Sequence, residues 1–117
     1  MNTAILLGRL TKDPELRNTQ SGAAVASFTV AVDRKFKDAS GKRQTDFLPC
    51  IAWKQTAEFV QKYLKKGSMI GVVGNIQTRS YDGQDGQKRY VTEIVVDEVH
   101  FAGEKREQND DAPPFDV

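Results

Sequence analysis

The chain has 117 residues and a mass of 13.1 kDa, enough for one compact core and a short tail but not for two ordinary domains. Hydrophobic residues make up 38% of the chain. The net charge of +1 is the sum of a positively charged body and a negatively charged carboxyl-terminal segment. The single cysteine, Cys50, excludes an internal disulfide. With one histidine there is no cluster of soft metal ligands, so we expect neither metal nor cofactor.

The charge is distributed unevenly along the chain. Residues 104–117 hold two cations against five anions, a balance of −3, so residues 1–103 carry +4. A basic body that binds polyanions has this pattern, and a tail that only aids solubility explains it equally well. We predict one ordered domain over residues 1–103 and a disordered acidic tail over residues 104–117.

The amino-terminal residues lack the charged start and cleavage site of a signal peptide. No apolar stretch approaches the roughly 20 residues that cross a bilayer. The sequence therefore predicts a soluble cytoplasmic protein without a membrane partner.

Three strands are predicted in the first half of the chain. Residues 3–10 are apolar at nearly every position, which indicates a strand covered on both faces, within the fold or against another subunit. Alternation from Ala26 predicts a second strand that buries Phe28. A third strand, from about Thr45 to Trp53, contains Pro49, which predicts an exposed edge or a bulge.

One helix and two further strands complete the pattern. Residues 56–66 predict a helix whose apolar stripe is formed by Phe59, Val60, Tyr63 and Leu64. Residues 69–81 alternate as a fourth strand, and residues 88–101 form the fifth after two Asp-Gly turn signals. Five strands with one helix between the third and the fourth predict an all-β fold, the five-stranded Greek-key barrel called the OB-fold.

Four aromatic residues lie among charged neighbours, where a hydrophobic core would not place them. Flat exposed rings beside cations favour binding to a nucleic-acid strand whose bases are unpaired, although core packing remains the alternative for each ring. The predicted base-stacking residues are Phe36, Phe47, Trp53 and Tyr81. The candidate phosphate contacts are Arg9, Arg34, Lys35, Lys54, Arg79 and Lys88. The aromatic residues interpreted as structural are Phe28, Phe59, Tyr63 and Tyr90.

Catalysis has no support in the sequence. His100 has no Ser or Cys partner in a recognisable motif, and the glycines at 67, 71 and 74 lack the Gly-Lys-Ser/Thr end of a phosphate-binding loop. We therefore predict a binding protein and not an enzyme.

Four ordered segments resemble the bacterial single-stranded DNA-binding proteins: GRLTKDPELR at 8–17, SFTVAV at 27–32, YLKKGS at 63–68 and QTRSY at 77–81. The resemblance covers about residues 1–102. It implies an OB-fold that assembles as a homotetramer and binds single-stranded DNA in replication, recombination and repair, in association with the nucleoid. The base-stacking positions of the family fall on the four aromatic residues named above.

The resemblance also implies that the acidic tail recruits replication, repair and recombination proteins, through Asp110, Asp111, Pro113, Pro114 and Phe115. Here Asp116 and Val117 follow the phenylalanine, and the linker before the acidic run is short. These departures indicate a short-tailed paralogue with a role such as DNA uptake during competence. Three alternatives stay open: an OB-fold for RNA or a primosome complex, a protein scaffold, and, with least support, a small hydrolase.

Overall fold

Alternating apolar and polar residues produce six strands and one helix within residues 1–103, the part of the chain that the computed structural model describes. Residues 104–117 lie outside the described residues, and with them the predicted tail and its five partner-binding residues. The elements in chain order are β1 (Ala4–Leu10), β2 (Glu15–Asn18), β3 (Ala24–Lys37), β4 (Arg43–Trp53), α1 (Lys54–Tyr63), β5 (Met69–Asp82) and β6 (Lys88–Phe101).

The long strands close into a barrel. Their order is β1-β5-β6-β4-β3, and β1 returns to pair with β3 at Arg9↔Ala31. All of these pairs are antiparallel except β4 with β6, which meet in parallel at two positions of each strand. The predicted OB-fold is confirmed, with α1 between the third and fourth barrel strands. The short β2 was not predicted, because its four residues are all exposed and show no apolar face.

Gly8 allows the barrel to close. A Cβ placed there would collide with the carbonyl oxygen of Ala31 on β3, so the two strands approach closely only because residue 8 has no side chain. Gly74 has the same role on β5, where the pairing with β6 shifts by one residue and a Cβ would collide with the carbonyl oxygen of Val95.

The barrel interior is apolar, and no polar side chain is buried among residues 1–103. The predicted inward face of β3 is confirmed, since Ala26 and Val30 are fully buried and Phe28 is nearly so. The largest fully buried side chains are those of Val25, Val30, Val60, Ile70 and Val72.

Helix α1 packs against β3, β4 and β6 with a narrower apolar face than predicted. Ala57 and Val60 are its buried residues, and Leu64, directly after the helix, is buried as well. Phe59 and Tyr63 were expected on this face, and that prediction is wrong. They lie on one side of Val60, Phe59 about 100° and Tyr63 about 60° round the helix from it. There they contact each other with ring centroids 5.0 Å apart.

The helix ends three residues earlier than predicted. Leu64 leaves the helical conformation, with φ −108° and ψ 148°, and buries its side chain. The next backbone N–H groups find partners outside the helix: Lys65 N–H donates to Ser68 Oγ and Lys66 N–H to Asp13 Oδ1. The chain therefore turns toward β5 instead of continuing the helix.

Three hairpin loops have one geometry. In each, the first residue's N–H donates to the carbonyl of the fifth, and the N–H of the fourth donates back to the carbonyl of the first. The fourth residue is glycine with φ between 81° and 90°, a left-handed conformation that favours glycine. The loops span residues 19–23, 38–42 and 83–87.

Helix α1 and Cys50 bear on two expectations from the sequence, one about membrane-spanning segments and one about the thiol. Within residues 1–103 the only helix has ten residues, and none is long and apolar enough to span a membrane. The Cys50 side chain is 3% exposed, and burial raises the pKa of its thiol to about 12. The thiol therefore behaves as the small buried apolar group that the sequence predicts.

Candidate nucleic-acid interface

The four predicted stacking rings all lie at the surface. The exposed fraction is 79% for Phe36, 63% for Phe47, 42% for Trp53 and 49% for Tyr81, whereas Phe28 in the core is 6% exposed. The exposure that base stacking requires is therefore present. The stacking itself stays a prediction.

Strand β4 presents two of the rings on one outer face. Phe47, Pro49 and Trp53 are separated by even numbers of residues, and the pairing with β3 is continuous over this stretch, so all three point the same way. Pro49 lies just before β4 reaches β6 at Cys50, in a stretch paired with β3 alone. The predicted exposed edge at Pro49 is confirmed, and there is no bulge at that residue.

A groove of about 300 Å³ lies beside this face. Its lining comes from β3 and β4, from the β5–β6 hairpin, and from Thr11, Lys12, Asp13 and Glu15 in the turn after β1 and at the start of β2. On the hairpin, the next outward residue beyond Arg79 is Tyr81. The rings of β4 and the ring of β5 thus lie on strands that border the groove. Six of its lining residues are Ser27, Thr29, Pro49, Arg79, Val91 and Glu93. We call the four rings together with the six predicted phosphate contacts the ring surface.

Two of the six predicted phosphate contacts are already paired with carboxylates. Arg34 donates to both oxygens of Asp46, from Nε at 3.0 Å and from Nη2 at 2.9 Å. Its hydrogen bond holds the pKa of the Asp46 carboxyl below its usual value. Arg79 donates from Nε to Glu93 Oε2 at 2.8 Å, and this bond raises the pKa of the arginine.

The other four predicted contacts make no salt bridge with any described residue. Arg9 shares a row across the sheet with Phe47, because each pairs with Ala31 from opposite sides. Lys54 follows Trp53 directly. The remaining two, Lys35 and Lys88, lie on exposed parts of β3 and β6.

Lys54 has an unusual backbone conformation. Its φ is 58°, and it is the only residue other than glycine with positive φ among residues 1–103. The left-handed region costs a side-chain-bearing residue about 1–2 kcal/mol. This strain lies where β4 ends and α1 begins, so it sets the direction in which the chain leaves Trp53.

Several surface residues were missed or misread. Tyr90, interpreted as structural, is 77% exposed, so that interpretation is wrong; it lies directly opposite Ser80 on the hairpin. Phe101 is exposed too, and its ring lies 6.2 Å from that of Phe59. Alternation along β6 predicts that Tyr90 lies on the opposite face of the strand from Arg89 and Val91. It does not predict whether another part of the protein covers that face. Glu93 carried no signal of its own in the sequence.

Metal ligation has no structural basis in the described residues. No group of three or more His, Cys, Asp or Glu side chains there could hold an ion. His100 Nε2 lies 3.0 Å from Glu98 Oε1 in a pair whose two side chains are both more than half exposed.

The closed five-stranded barrel, its single helix and its exposed rings beside cations define an OB-fold with a surface suited to flat, anionic ligands. The model of the single-strand binding protein family matches residues 1–102. Because this match covers nearly the whole chain, the chain belongs to that family.

Relatives with established names agree with this assignment. The chain is 54% identical to single-stranded DNA-binding protein 3 of Listeria innocua over 106 residues, which are 91% of this chain and 66% of the relative. It is 55% identical to the single-stranded DNA-binding protein of Bacillus cereus over 101 residues, 86% of this chain and 59% of the relative. For the Staphylococcus aureus protein of that name, identity is 54% over 110 residues, 94% and 70% of the two chains. The chain thus spans about three fifths to two thirds of the first two relatives.

Proposed function

We propose that this chain binds single-stranded DNA without reading its sequence. The observation that carries the proposal is the ring surface: four exposed aromatic side chains beside cations, on strands that border one groove. Membership of the single-strand binding protein family and the printed names of its relatives support the same ligand.

Base stacking supplies the contact with the bases. Every base has a flat face, so an exposed ring accepts any of the four, and stacking is worth about 1–3 kcal/mol per base. Phe47 and Trp53 lie six residues apart on β4, about 20 Å at roughly 3.3 Å per residue. That distance leaves room for several bases between them.

Phosphate contacts supply the salt-dependent part of the affinity. Each phosphate neutralised on a single strand contributes a slope of about −0.7 to the dependence of log affinity on log salt concentration. Of the six predicted phosphate contacts, Arg9, Lys35, Lys54 and Lys88 make no salt bridge with a described carboxylate. The mechanism is binding and protection alone, with no chemical step.

We further propose that the chain assembles into a homotetramer. The outer face of β1 supports this, because Ile5 and Leu7 are 74% and 60% exposed. At these two positions β1 pairs with β5 alone, since its pairing with β3 is confined to Arg9 and Leu10. Two exposed branched apolar side chains on one strand face indicate a surface that another subunit covers. Sedimentation equilibrium should give four copies, and Ile5→Glu should lower that number.

The cellular part of the proposal follows from the ligand. A protein that protects single-stranded DNA acts in replication, recombination, repair or DNA uptake, in the cytoplasm near the nucleoid. Recruitment of other proteins through Asp110, Asp111 and Phe115, and a competence role, stay predictions, since those residues lie outside the described part of the chain.

The single tryptophan provides the test. Trp53 lies on the ring surface, so titration with oligo(dT) at low salt should quench its fluorescence, and added salt should reverse the quenching. A chain that shows no quenching and no mobility shift at low salt would contradict the proposal.

Two alternatives are separated by the same titration. Tighter binding of oligo(U) than of oligo(dT) would identify an RNA-binding protein. Binding of neither strand, together with retention of protein partners, would identify a scaffold.

A further inference from the structure

Glu93 is the least exposed charged partner in any salt bridge of residues 1–103. Its side chain is 11% exposed, whereas those of the other carboxylates in such pairs are 42% to 60% exposed. A carboxylate with so little contact with water is stabilised by a cation at hydrogen-bond distance, since an unpaired charge there is unfavourable. Its partner is Arg79, at 2.8 Å.

The same arginine contacts one of the proposed stacking rings. Arg79 Cζ lies 5.9 Å from the centre of the Tyr81 ring, within the range of a cation–π contact. The two residues are alternate positions on β5 and share a face, and Glu93 lies across from Gln77 on that same face. Glu93, Arg79 and Tyr81 therefore form a chain of contacts from the groove wall to the ring.

We propose that Glu93 and Arg79 are positioning residues for Tyr81, and that Arg79 is not an independent phosphate ligand. Glu93 holds the guanidinium, and the guanidinium holds the ring in the orientation that a base stacks on. This inference rests on the proposed function, because it concerns how one ring of the ring surface is presented to a strand.

The charges of Arg79 and Glu93 also favour a positioning role over phosphate binding. The charge of Arg79 is balanced by Glu93 at contact distance, so a phosphate approaching one meets the repulsion of the other. A neutral pair releases few counterions when a strand binds. Arg89, directly opposite Tyr81 on β6, is likewise paired, with Asp85 at 2.8 Å.

The test uses a substitution that keeps the net charge constant. The double variant Arg79→Gln/Glu93→Gln removes both charges, and it is compared with the parent and with the same change in a Tyr81→Ala background. Binding of oligo(dT) to the full chain is followed by Trp53 fluorescence over a series of salt concentrations, with thermal unfolding to show that each variant is folded.

The expected result is a loss of about twofold to fivefold in affinity in the parent, the size of an exposed cation–π contact. We expect no further loss in the Tyr81→Ala background, since the pair acts through that ring. The salt slope should not change. A matched control, Arg34→Gln/Asp46→Asn, removes the pair formed by the other carboxylate-bound predicted phosphate contact. No cation–π contact of Arg34 is found in the described residues, so the effect of this control should be the same with or without Tyr81.

Two outcomes would overturn the inference. A salt slope shallower by about 0.7 in the double variant would make Arg79 a phosphate ligand. An equal loss of affinity with and without Tyr81 would show that the pair does not act through the ring. If the proposed function itself failed, the unmodified chain would bind no oligo(dT), which is distinguishable from both outcomes.

Discussion

The barrel interior and the ring surface use the same strands for opposite purposes. On β3 and β4 the inward residues are almost completely buried, while Phe47 and Trp53 on the outward face of β4 keep 63% and 42% of their surface exposed. The interior stabilises the fold by excluding water from aliphatic side chains, and the outer face leaves large rings in water. Exposed rings contribute little to folding, so the comparison teaches that stability and binding can be changed separately.

The largest effect is expected from closing the space that Gly8 leaves between β1 and β3. Gly8→Ala should lower the free energy of unfolding by about 1–3 kcal/mol or more, because the added methyl overlaps the backbone of Ala31 and not a movable side chain. Urea unfolding measures the change. Gly71→Ala is the matched control, since its nearest contact would be the Leu6 carbonyl oxygen at 3.9 Å, and it should be nearly neutral. Equal effects for the two would contradict the role of Gly8.

Removing an exposed ring should weaken DNA binding and not the stability of the fold. Trp53→Ala should weaken binding of oligo(dT) by about 1–3 kcal/mol, the value of one stacked base. Fluorescence anisotropy of a labelled oligonucleotide measures this without the tryptophan. Phe101→Ala provides the control, because that ring is 51% exposed but lies outside the ring surface, and the variant should bind like the parent. Unchanged affinity after loss of Trp53 would remove the stacking role.

Lys54 is the position where stability and binding should move in opposite directions. Lys54→Gly should raise the free energy of unfolding by up to about 1 kcal/mol, since glycine adopts φ 58° without strain, less the entropy it loses on folding. It should also make the salt slope shallower by about 0.7 for one lost phosphate contact. Lys54→Ala removes the charge but keeps the backbone strain. It should therefore make the salt slope shallower by the same amount as Lys54→Gly, without the rise in the free energy of unfolding. A gain with alanine would disprove the strain.

The smallest effect concerns the loop at residues 38–42. Asp38 accepts hydrogen bonds from Ser40, from Lys42 N–H and from Gln44, and the Ser40 bond contributes most to a pKa lowered from 3.8 to about 2. A lowered pKa means that the stabilisation is present above about pH 4 and is lost as the pH falls through about 2.

Amide hydrogen exchange of Ser40 and Lys42 should therefore speed up over that range, while the barrel interior keeps its protection. Asp38→Asn, which cannot ionise, should show no such acid transition. A transition in the barrel core over the same range, without one in the loop, would contradict the local origin of the effect.

Much of the fold could be predicted, because strands that bury one face repeat with a period of two. Alternation located β3, β5 and β6 and the inward side of β3. It could not locate β2, whose residues are held by backbone pairing with β3 alone. It also could not separate Phe59 from Val60 on α1, since both are apolar and only contact with the sheet decides which is buried.

The sequence predicts which kinds of residue form the site, but not which of their side chains pair with each other. Rings beside cations indicated the ring surface, since such rings gain nothing from a core. The Arg79–Glu93 pair depends on the one-residue shift between β5 and β6 at Gly74, because without it Arg79 would lie opposite Thr92 and Glu93 would face the other way. A glycine within a strand is typical of a bulge, but Gly71 gives the same signal as Gly74 and lies in unshifted pairing, so the position of the shift could not be predicted.

The shared geometry of the three hairpin loops has a consequence for how such a protein diversifies. In each loop two backbone hydrogen bonds join residues of the loop itself, and the fourth residue is a left-handed glycine, so the loop conformation does not depend on the length of the strands that it joins. Inserting two residues in each strand of a hairpin would carry the tip about 7 Å outward with every side chain on its original face. The length of a hairpin can therefore change in steps of two residues per strand while the buried barrel interior stays the same.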